Sequence, residues 1–204
     1  MKLTNGNATR KIGRPLSFAR DVALREAMLV FWRHGYETTS ISDLTAAMGV
    51  TAPSIYAAFG DKRRLFLEAV NLYTGDPSAM DEWIRAAPTA HDAARSLLVA
   101  SAERFTGDTT PPGCLLASAT ASGSAACAAV MATVSQVRQR IEDALRQRIE
   151  RDITSGFLQK ATSADALAGM TMAVISGMSV LARDGAGRQK LLTIAEQTLR
   201  GWPY

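Results

Sequence analysis

The stretch Val50–Lys62, VTAPSIYAAFGDK, decides the fold of this chain. Thr51 is suited to cap a short helix, and Pro53 fits in its first turn, where the missing N–H costs nothing. Ile55 and Phe59 lie four residues apart and can face a core, whereas the other positions are small or polar. A helix that only fills a core needs no such outer surface. The residues expected to point outward are Ala52, Pro53, Ser54, Ala57 and Ala58.

Two helical patterns precede this stretch. Apolar residues recur with helical spacing from Asp21 onward, and Gly35 stands where a C-terminal cap belongs. The second pattern starts at Ser40, which has capping-box spacing to Asp43, and it ends at Gly49. Two short helices joined by a tight turn with glycine, the second poor in apolar surface, are typical of a helix-turn-helix. Its small outer surface can approach a DNA major groove closely.

A fourth helix is predicted from Lys62 to Tyr73, with Asp61 as its cap. Lys62 lies beside the preceding short helix, where its ammonium group can contact a DNA phosphate. The apolar residues expected to anchor this helix are Leu65, Phe66, Ala69 and Leu72.

The remainder of the chain also has helical patterns. Because no strand-like alternation of useful length occurs, the predicted fold class is all-α. The expected segments lie near residues 79–86, 89–106, 115–122, 124–156, 163–184 and 187–200. Gly75 to Ser78 interrupt the pattern and mark a junction between domains. The predicted organisation is a basic flexible arm (1–17), a helix-turn-helix DNA-binding domain (18–74) and a helical ligand-binding and dimerisation domain (75–204).

Composition indicates a protein that needs neither disulfides nor a membrane. The chain has 204 residues, 47% of them hydrophobic, and its two cysteines are Cys114 and Cys127. Residues 1–11 are polar and basic, unlike a signal peptide. No run approaches the roughly 18 apolar residues expected of a spanning helix. We therefore expect a cytoplasmic protein with free thiols and no membrane association.

Positive charge is concentrated at the N-terminal end. Residues 1–64 hold ten Lys or Arg and five Asp or Glu, a net charge of +5, whereas residues 65–204 hold thirteen and fourteen, a net charge of −1. Arg10, Lys11 and Arg14 belong to a stretch of twenty residues without an acid. Such an arm can lie along phosphates, and a solubilising disordered tail is the alternative.

The segment from Phe18 to Tyr73 resembles the DNA-binding domain of the TetR family of repressors. The resemblance rests on the stretches ALREAMLVFWRHGYETTS, ISDLTAAMGV, TAPSIYAAFGDK and RRLFLEAVNLY, with Gly35, Thr39, Gly49, Tyr56, Phe59 and Lys62 at matching positions. It implies a three-helix DNA-binding domain on a larger helical domain that binds a small ligand. It also implies a homodimer formed by the last two long helices.

The resemblance assigns DNA-facing roles to individual residues. Ser40 and Ser42 would face the DNA backbone, and Tyr56 and Lys62 fall on phosphate-contacting positions. The recognition surface would comprise Thr51, Ala52, Pro53, Ser54 and Ala57.

The chain departs from the commoner family pattern at Ala57 and Ala58, where members often carry large aromatics or histidine. Alanine offers only a methyl group, which suits a thymine methyl. Specificity would then rest on Ser54, on the surface of Ala52 and Pro53, and on the basic arm in a minor groove.

Catalytic and metal-binding motifs are not found. The two histidines, His34 and His91, have no further ligand at metal-binding spacing. Gly185-Ala-Gly187 lacks the third glycine and the preceding strand of a phosphate loop, and no Gly-x-Ser-x-Gly motif occurs. We expect no enzyme activity, no metal and no cofactor.

Cys114 allows a second interpretation of the regulator. It opens a predicted helix, where the helix dipole can make a thiol reactive, and a small buried side chain is the alternative. The run Gly113 to Leu116, with the APSIYAAFGDK helix, also looks like one subset of the family. The candidate ligand-binding residues are Trp83, Leu98, Phe105, Cys114, Leu115 and Met131, for each of which ordinary core is the alternative.

Two features of the C-terminal half have structural interpretations. Apolar stripes on the last two helices predict a four-helix dimer seam, with simple core as the alternative. Its residues would be Met170, Val174, Met178, Leu181, Leu191, Leu192, Ala195 and Leu199. In the helix over 124–156, Arg138, Arg140, Arg146, Arg148 and Arg151 alternate with acids, which predicts a solvated face with ion pairs.

The combined prediction is a dimeric repressor that binds a palindromic DNA operator and is released by a small-molecule effector. One alternative is a thiol- or redox-sensing regulator acting through Cys114. The other is a small-molecule-binding helical protein whose helix-turn-helix is degenerate.

Overall fold

The computed structural model describes residues 19–118 and 125–203, and this part of the chain forms ten helices. They are α1 (Arg20–His34), α2 (Ile41–Met48), α3 (Ala52–Phe59), α4 (Lys62–Thr74), α5 (Pro77–Ala86), α6 (Ala90–Phe105), α7 (Leu115–Ser118), α8 (Ala125–Ser155), α9 (Ala164–Arg183) and α10 (Arg188–Arg200). None of the described residues lies in a strand. The all-α prediction is therefore confirmed.

The helices α2 and α4 begin where the sequence predicts, because a side chain caps the first turn of each. Ser40 Oγ accepts from the Asp43 amide at 3.1 Å, and the Asp43 carboxylate accepts from the Ser40 amide at 2.8 Å, so the capping box of α2 is formed. The Asp61 carboxylate accepts from the amide of Arg64 at 2.7 Å and caps α4. These side chains use amide groups that the first turn of a helix leaves without partners.

The anchors of α4 need one correction. Leu72 is 44% exposed, whereas Val70 and Tyr73 are buried together with the other predicted anchors. The buried face of α4 runs at i, i+1, i+4, i+5 and i+8 from Leu65, and Leu72 falls outside that stripe.

Two clusters of buried residues form the core. The first joins α1 to α4 around the edge-to-face pair Phe31 and Phe66, whose ring centroids lie 5.1 Å apart, and it continues into α7 and the start of α8. The second joins α5, α6, α9 and α10 to the later part of α8. The 31-residue helix α8 contributes to both clusters, so packing does not divide at residue 75.

The helix α9 corrects the expectation about membrane-spanning segments. Over its best 18-residue window the mean hydropathy is 1.5, so by length and composition alone it could cross a membrane, and only 22% of that window is buried within the chain. The sequence does not show this helix as one apolar run because Thr171, Ser176 and Ser179 interrupt its apolar residues. One face of α9 packs on α6, α8 and α10, and the opposite face is exposed.

Candidate nucleic-acid interface and ligand cavity

The short helix α3 presents the surface expected from the sequence. Ile55 and Phe59 are buried in the first core cluster, with 0% and 3% of their surface exposed. Pro53 and Ala57 are exposed, and Tyr56 exposes 50% of its surface. The outer side of α3 is therefore low in relief, with one aromatic hydroxyl standing above it.

Three details at α3 differ from the prediction. Ala58 is half-buried and packs against the first cluster, so it does not belong to the outer surface. Thr51 occupies the cap position, but its hydroxyl makes no bond to the first-turn amides. Instead, Thr51 Oγ1 and Ser54 Oγ lie 2.9 Å apart in a hydrogen bond to each other. This hydrogen bond fixes the positions of both hydroxyl groups beside the outer surface of α3.

The two serines at the start of α2 differ in their availability. Ser42 is exposed on the first turn. The Ser40 hydroxyl already accepts from the Asp43 amide and lies 2.7 Å from the Asp43 carboxylate. Hydrogen bonds from the backbone and the hydroxyl of Ser40 hold the pKa of the Asp43 carboxyl below its usual value of 3.8. Ser40 thus serves first to fix the orientation of α2.

Lys62 is held in place rather than extended into solvent. Its Nζ atom donates to the Glu37 carbonyl at 3.2 Å and lies 4.7 Å from the centroid of the Tyr36 ring. Burial lowers the pKa of Lys62, and the neighbouring Glu37 carboxylate opposes that shift. The ammonium is therefore positioned at the turn between α1 and α2, next to the start of α4.

An ion pair at Arg20 was missed by the sequence reasoning. Its guanidinium lies 2.6 Å from the Glu68 carboxylate and 4.4 Å from the centroid of the Phe59 ring. The pair fixes the start of α1 against α3 and α4, and a separation of 48 residues leaves no local sequence signal. The predicted arm residues Arg10, Lys11 and Arg14 lie outside the described residues.

A cavity of about 220 Å³ lies among α4, α5, α6, α7, α8 and α9. Three of the predicted ligand-binding residues line it, namely Trp83, Phe105 and Cys114. The other three predictions are corrected. Leu98 and Leu115 are fully buried in the two core clusters, and Met131 packs against the first cluster.

Several cavity residues were not foreseen, among them Tyr73, Arg104, Arg138 and Ser179. The signal for Arg138 is its phase, because it lies at i+4 from Val134 and three residues before Ile141, on the apolar stripe of α8. The prediction of a solvated face is wrong for Arg138.

The same prediction is also wrong for Arg148, which is 4% exposed and paired with Asp152. The prediction holds for Arg140, which is paired with Asp81, and for Arg146, which is paired with Asp143 and Glu150.

Tyr73 connects the cavity to the DNA-binding helices. Its hydroxyl donates to Cys114 Sγ at 3.4 Å, and its ring packs edge-on against Trp32 with centroids 4.8 Å apart. The Arg104 guanidinium lies 4.3 Å from the ring centroid and donates to the Tyr73 carbonyl at 2.8 Å. Burial raises the pKa of Tyr73, so the phenol stays protonated and remains a donor.

The turn at Gly113 joins α1 to α9 across the cavity wall. Trp32 Nε1 donates to the Gly113 carbonyl at 3.0 Å, and the Cys114 amide donates to Ser179 Oγ at 2.9 Å. Gly113 has a φ of 80°, and a Cβ atom there would lie 2.8 Å from the Ser179 carbonyl oxygen. Only glycine fits this close approach. A group that displaces Cys114 therefore moves a contact of α1.

The predicted dimer seam is corrected at four positions. Met178, Leu191, Ala195 and Leu199 are 5% exposed or less, in the second core cluster, so their side chains are not available to a partner. Val174, Leu181 and Leu192 are half-buried, and Met170 is 38% exposed. Five exposed residues of α9 that carry no polar side chain instead form a stripe with alternating spacings of four and three residues, hereafter the α9 stripe: Ala166, Met170, Ala173, Gly177 and Val180.

Within the described part of the chain, no group of three or more His, Cys, Asp or Glu side chains is placed to hold a metal ion.

The known proteins that this chain resembles are transcriptional regulators. The family model of bacterial regulatory proteins, tetR family, matches residues 23–69. The HTH-type transcriptional repressor ComR of Escherichia coli K12 is 35% identical over 193 residues, which cover 94% of this chain and 92% of ComR.

Solved structures agree over nearly the whole chain. A cysteine-substituted form of the TetR family regulator CifR, complexed with 26-bp operator DNA, is 40% identical with a TM-score of 0.86, covering 94% of this chain and 100% of that one. A regulator from Rhodococcus sp. RHA1 is 37% identical with a TM-score of 0.62, covering 89% of this chain and 98% of that one. The chain therefore belongs to the TetR family and is a DNA-binding transcriptional regulator.

Proposed function

We propose that this protein is a repressor that binds a roughly palindromic operator as a homodimer and is released by a small-molecule effector. The observation that carries the proposal is the outer surface of α3, small and exposed at Pro53 and Ala57, with Tyr56 and Lys62 beside it. Support comes from ComR, a repressor, and from CifR, whose structure contains operator DNA.

The proposed DNA contacts fall into two groups. Sequence would be read by the surface of α3 and by the paired hydroxyls of Thr51 and Ser54. Tyr56, Lys62 and the start of α2 would contact phosphates and set the register. The basic arm at Arg10, Lys11 and Arg14 would add contacts in a minor groove. Without the arm, operator affinity should fall and its salt dependence should weaken.

The α9 stripe is the proposed dimer seam. It is apolar, contains no charged residue and lies on α9, of whose most apolar window only 22% is buried within the chain. Small residues let two helices approach closely, and an exposed apolar face of this length needs a cover in water. A second copy of α9 crossing the first would bury both stripes, with half-buried Val174 and Leu192 at the edges.

The cavity is the proposed effector site, and the Gly113 turn is the proposed link to DNA. An effector that shifts Cys114 or Tyr73 would alter their contacts with Trp32 on α1 and with the end of α4. Such an effector changes DNA affinity only by the difference between its affinities for the two arrangements.

A thiol-sensing mechanism at Cys114 is the second candidate. Cys114 is half-buried, lines the cavity and accepts a hydrogen bond from Tyr73. An electrophile in the cavity would therefore meet this sulfur directly. Operator affinity that is unchanged after saturating alkylation of Cys114, verified by mass spectrometry, would eliminate this candidate.

The finer expectations belong to the same proposal. The chain would share its APSIYAAFGDK helix and Gly-Cys-Leu run with a subset of the family, would act in the cytoplasm and would have no catalytic activity. Its relatives are transcriptional regulators, which supports this assignment.

The test is an anisotropy titration against DNA from around the protein's own gene, with unrelated DNA as competitor and with salt varied. We expect a selective complex with two protomers, or a multiple of two, per site and an affinity that falls steeply with salt. Weak, unselective binding that no effector restores would instead favour a helical ligand-binding protein with a degenerate helix-turn-helix.

A further inference from the structure

The charges around the cavity are one-sided. Its described lining contains two arginines, Arg104 and Arg138, and neither Asp nor Glu. Arg104 donates to the Tyr73 carbonyl at 2.8 Å, and Arg138 donates to the Leu116 carbonyl at 3.3 Å. In the described part of the chain, neither guanidinium lies within 4.0 Å of a carboxylate. Both therefore bring to the cavity lining a guanidinium that has no carboxylate partner among the described residues.

Other arginines of this domain show the contrast. Arg140 is paired with Asp81, Arg146 with Asp143 and Glu150, and Arg148 with Asp152. The arginines that follow Arg138 on α8 thus have carboxylate partners from α5 or from α8 itself, whereas the described cavity lining has none. A guanidinium against apolar surface is unfavourable unless it gains a counter-ion, and planar carboxylates match its donors in pairs.

Most of the remaining lining is apolar. It includes Trp83, Leu97, Phe105, Met172 and Ile175, together with the hydroxyl side chains of Tyr73, Ser101, Ser176 and Ser179. A second cavity of about 220 Å³ adjoins the first and shares Arg104. Unlike the first cavity, its lining contains a carboxylate, that of Asp81, which is paired with Arg140. The anionic group of a ligand is therefore best placed in the first cavity.

We propose that the effector is a small amphipathic carboxylate, with its anionic head between Arg104 and Arg138 and its apolar body against Trp83 and Phe105. This inference rests on the proposed function of the cavity and adds the chemical class of its ligand. The volume is below the ~300–1,000 Å³ of drug-sized pockets, which restricts the body to a short chain or a single ring.

The experiment compares octanoate, 1-octanol and octylamine as probes of the full-length protein by titration calorimetry. These probes share one chain and differ in the charge of the head group. We expect octanoate to bind at least about tenfold more tightly than 1-octanol, because charge-assisted hydrogen bonds to guanidinium are stronger than neutral ones. Octylamine should bind most weakly.

Two variants locate the head group. Arg104→Met and Arg138→Met should each lower octanoate affinity toward that of 1-octanol, while 1-octanol still binds and reports an intact cavity. The matched control is Arg146→Met, which removes a half-buried arginine of α8 that does not line the cavity and should leave octanoate affinity unchanged. Because Arg104 also packs on Tyr73, Arg138→Met supplies an independent result.

The proposal is overturned if 1-octanol binds the unaltered protein as tightly as octanoate, if no probe binds, or if octanoate affinity survives both substitutions. Operator binding without any probe is measured separately. Its absence would contradict the repressor function but would leave the charge preference of the cavity measurable by calorimetry.

Discussion

Two exposed helix surfaces of this protein have similar shapes and different electrical surroundings. The outer side of α3 and the α9 stripe are both built from small residues, alanine at position 57 in one and Ala173 with Gly177 in the other. The α3 surface lies beside the Lys62 ammonium and the Tyr56 hydroxyl, whereas the α9 stripe contains no charged residue.

This difference in charge determines which partner a surface of small residues favours. Small residues only allow close approach. A nearby fixed cation makes the approach of a phosphate backbone favourable, whereas an uncharged apolar stripe gains most from covering another apolar stripe. If this comparison is correct, substitutions on α9 and α3 should separate assembly from DNA binding.

The largest effect is expected for Gly177→Arg in the α9 stripe. A Cβ at Gly177 meets nothing within 4 Å inside the chain, so the substitution should not disturb the protomer. A charged side chain there should prevent burial of the stripe and give monomers in analytical ultracentrifugation. Loss of the second half-site contact should weaken operator binding by about 10²–10⁴-fold.

The matched control for that variant is Gly187→Arg. Gly187 also has open space around its Cβ position, and it lies at the start of α10, outside the stripe. A dimer that persists in Gly177→Arg would show that the stripe is not the seam.

A smaller loss of operator affinity, without loss of the dimer, is expected for Ala57→Glu. The added carboxylate would face phosphates and base edges, and one unfavourable contact of this kind costs about 1–3 kcal/mol, or roughly five- to 150-fold in affinity. Anisotropy and ultracentrifugation measure the two properties separately. Ala79→Glu, on an exposed position of α5, is the control and should change neither.

Lys62→Ala should weaken binding to all DNA sequences about equally. Removal of one phosphate contact should lower the slope of log affinity against log salt by about 1. The control is Lys160→Ala, which removes one exposed positive charge between α8 and α9 and should keep the original slope. An unchanged slope in Lys62→Ala would mean that the bond to the Glu37 carbonyl holds the ammonium away from DNA.

Local signals predicted the N-terminal helices well, for reasons visible in the structure. The capping box at Ser40, the cap at Asp61 and the glycines at 35 and 49 act over three or four residues, so their sequence spacing nearly fixes their geometry. The surface of α3 could be predicted for the same reason, because burial of Ile55 and Phe59 determines what faces outward.

The cavity and the dimer seam depend on pairings between distant helices. Apolar periodicity marks a buried stripe without saying whether the same chain or a partner covers it. For this reason the pattern predicts Leu191, Ala195 and Leu199 in the seam, whereas the structure buries them in the second core cluster, where α10 packs on α6 and α9. Arg138 could have been recognised by its phase on α8, whereas the contact of Trp32 with Gly113 joins residues 81 positions apart and leaves no local trace.

The smallest effect is expected for Ser40→Ala. This substitution separates the orientation of α2 from its contact with DNA. Because the Ser40 hydroxyl is used within the capping box, its loss should lower the melting temperature by about 2–4 °C and leave the salt slope unchanged.

The pH dependence of this loss has a definite sign. The pKa of the Asp43 carboxyl is lowered in the folded chain, so the stability from the box is present above the usual value of 3.8. As the pH falls through the lower folded pKa, the carboxylate takes up a proton and the advantage over Ser40→Ala should shrink. Calorimetric melting between about pH 3 and 7 measures this difference. If operator affinity also fell to a similar extent for all DNA sequences while the salt slope stayed unchanged, Ser40 would be a phosphate contact as well as a cap, because its neutral hydroxyl releases no counter-ion.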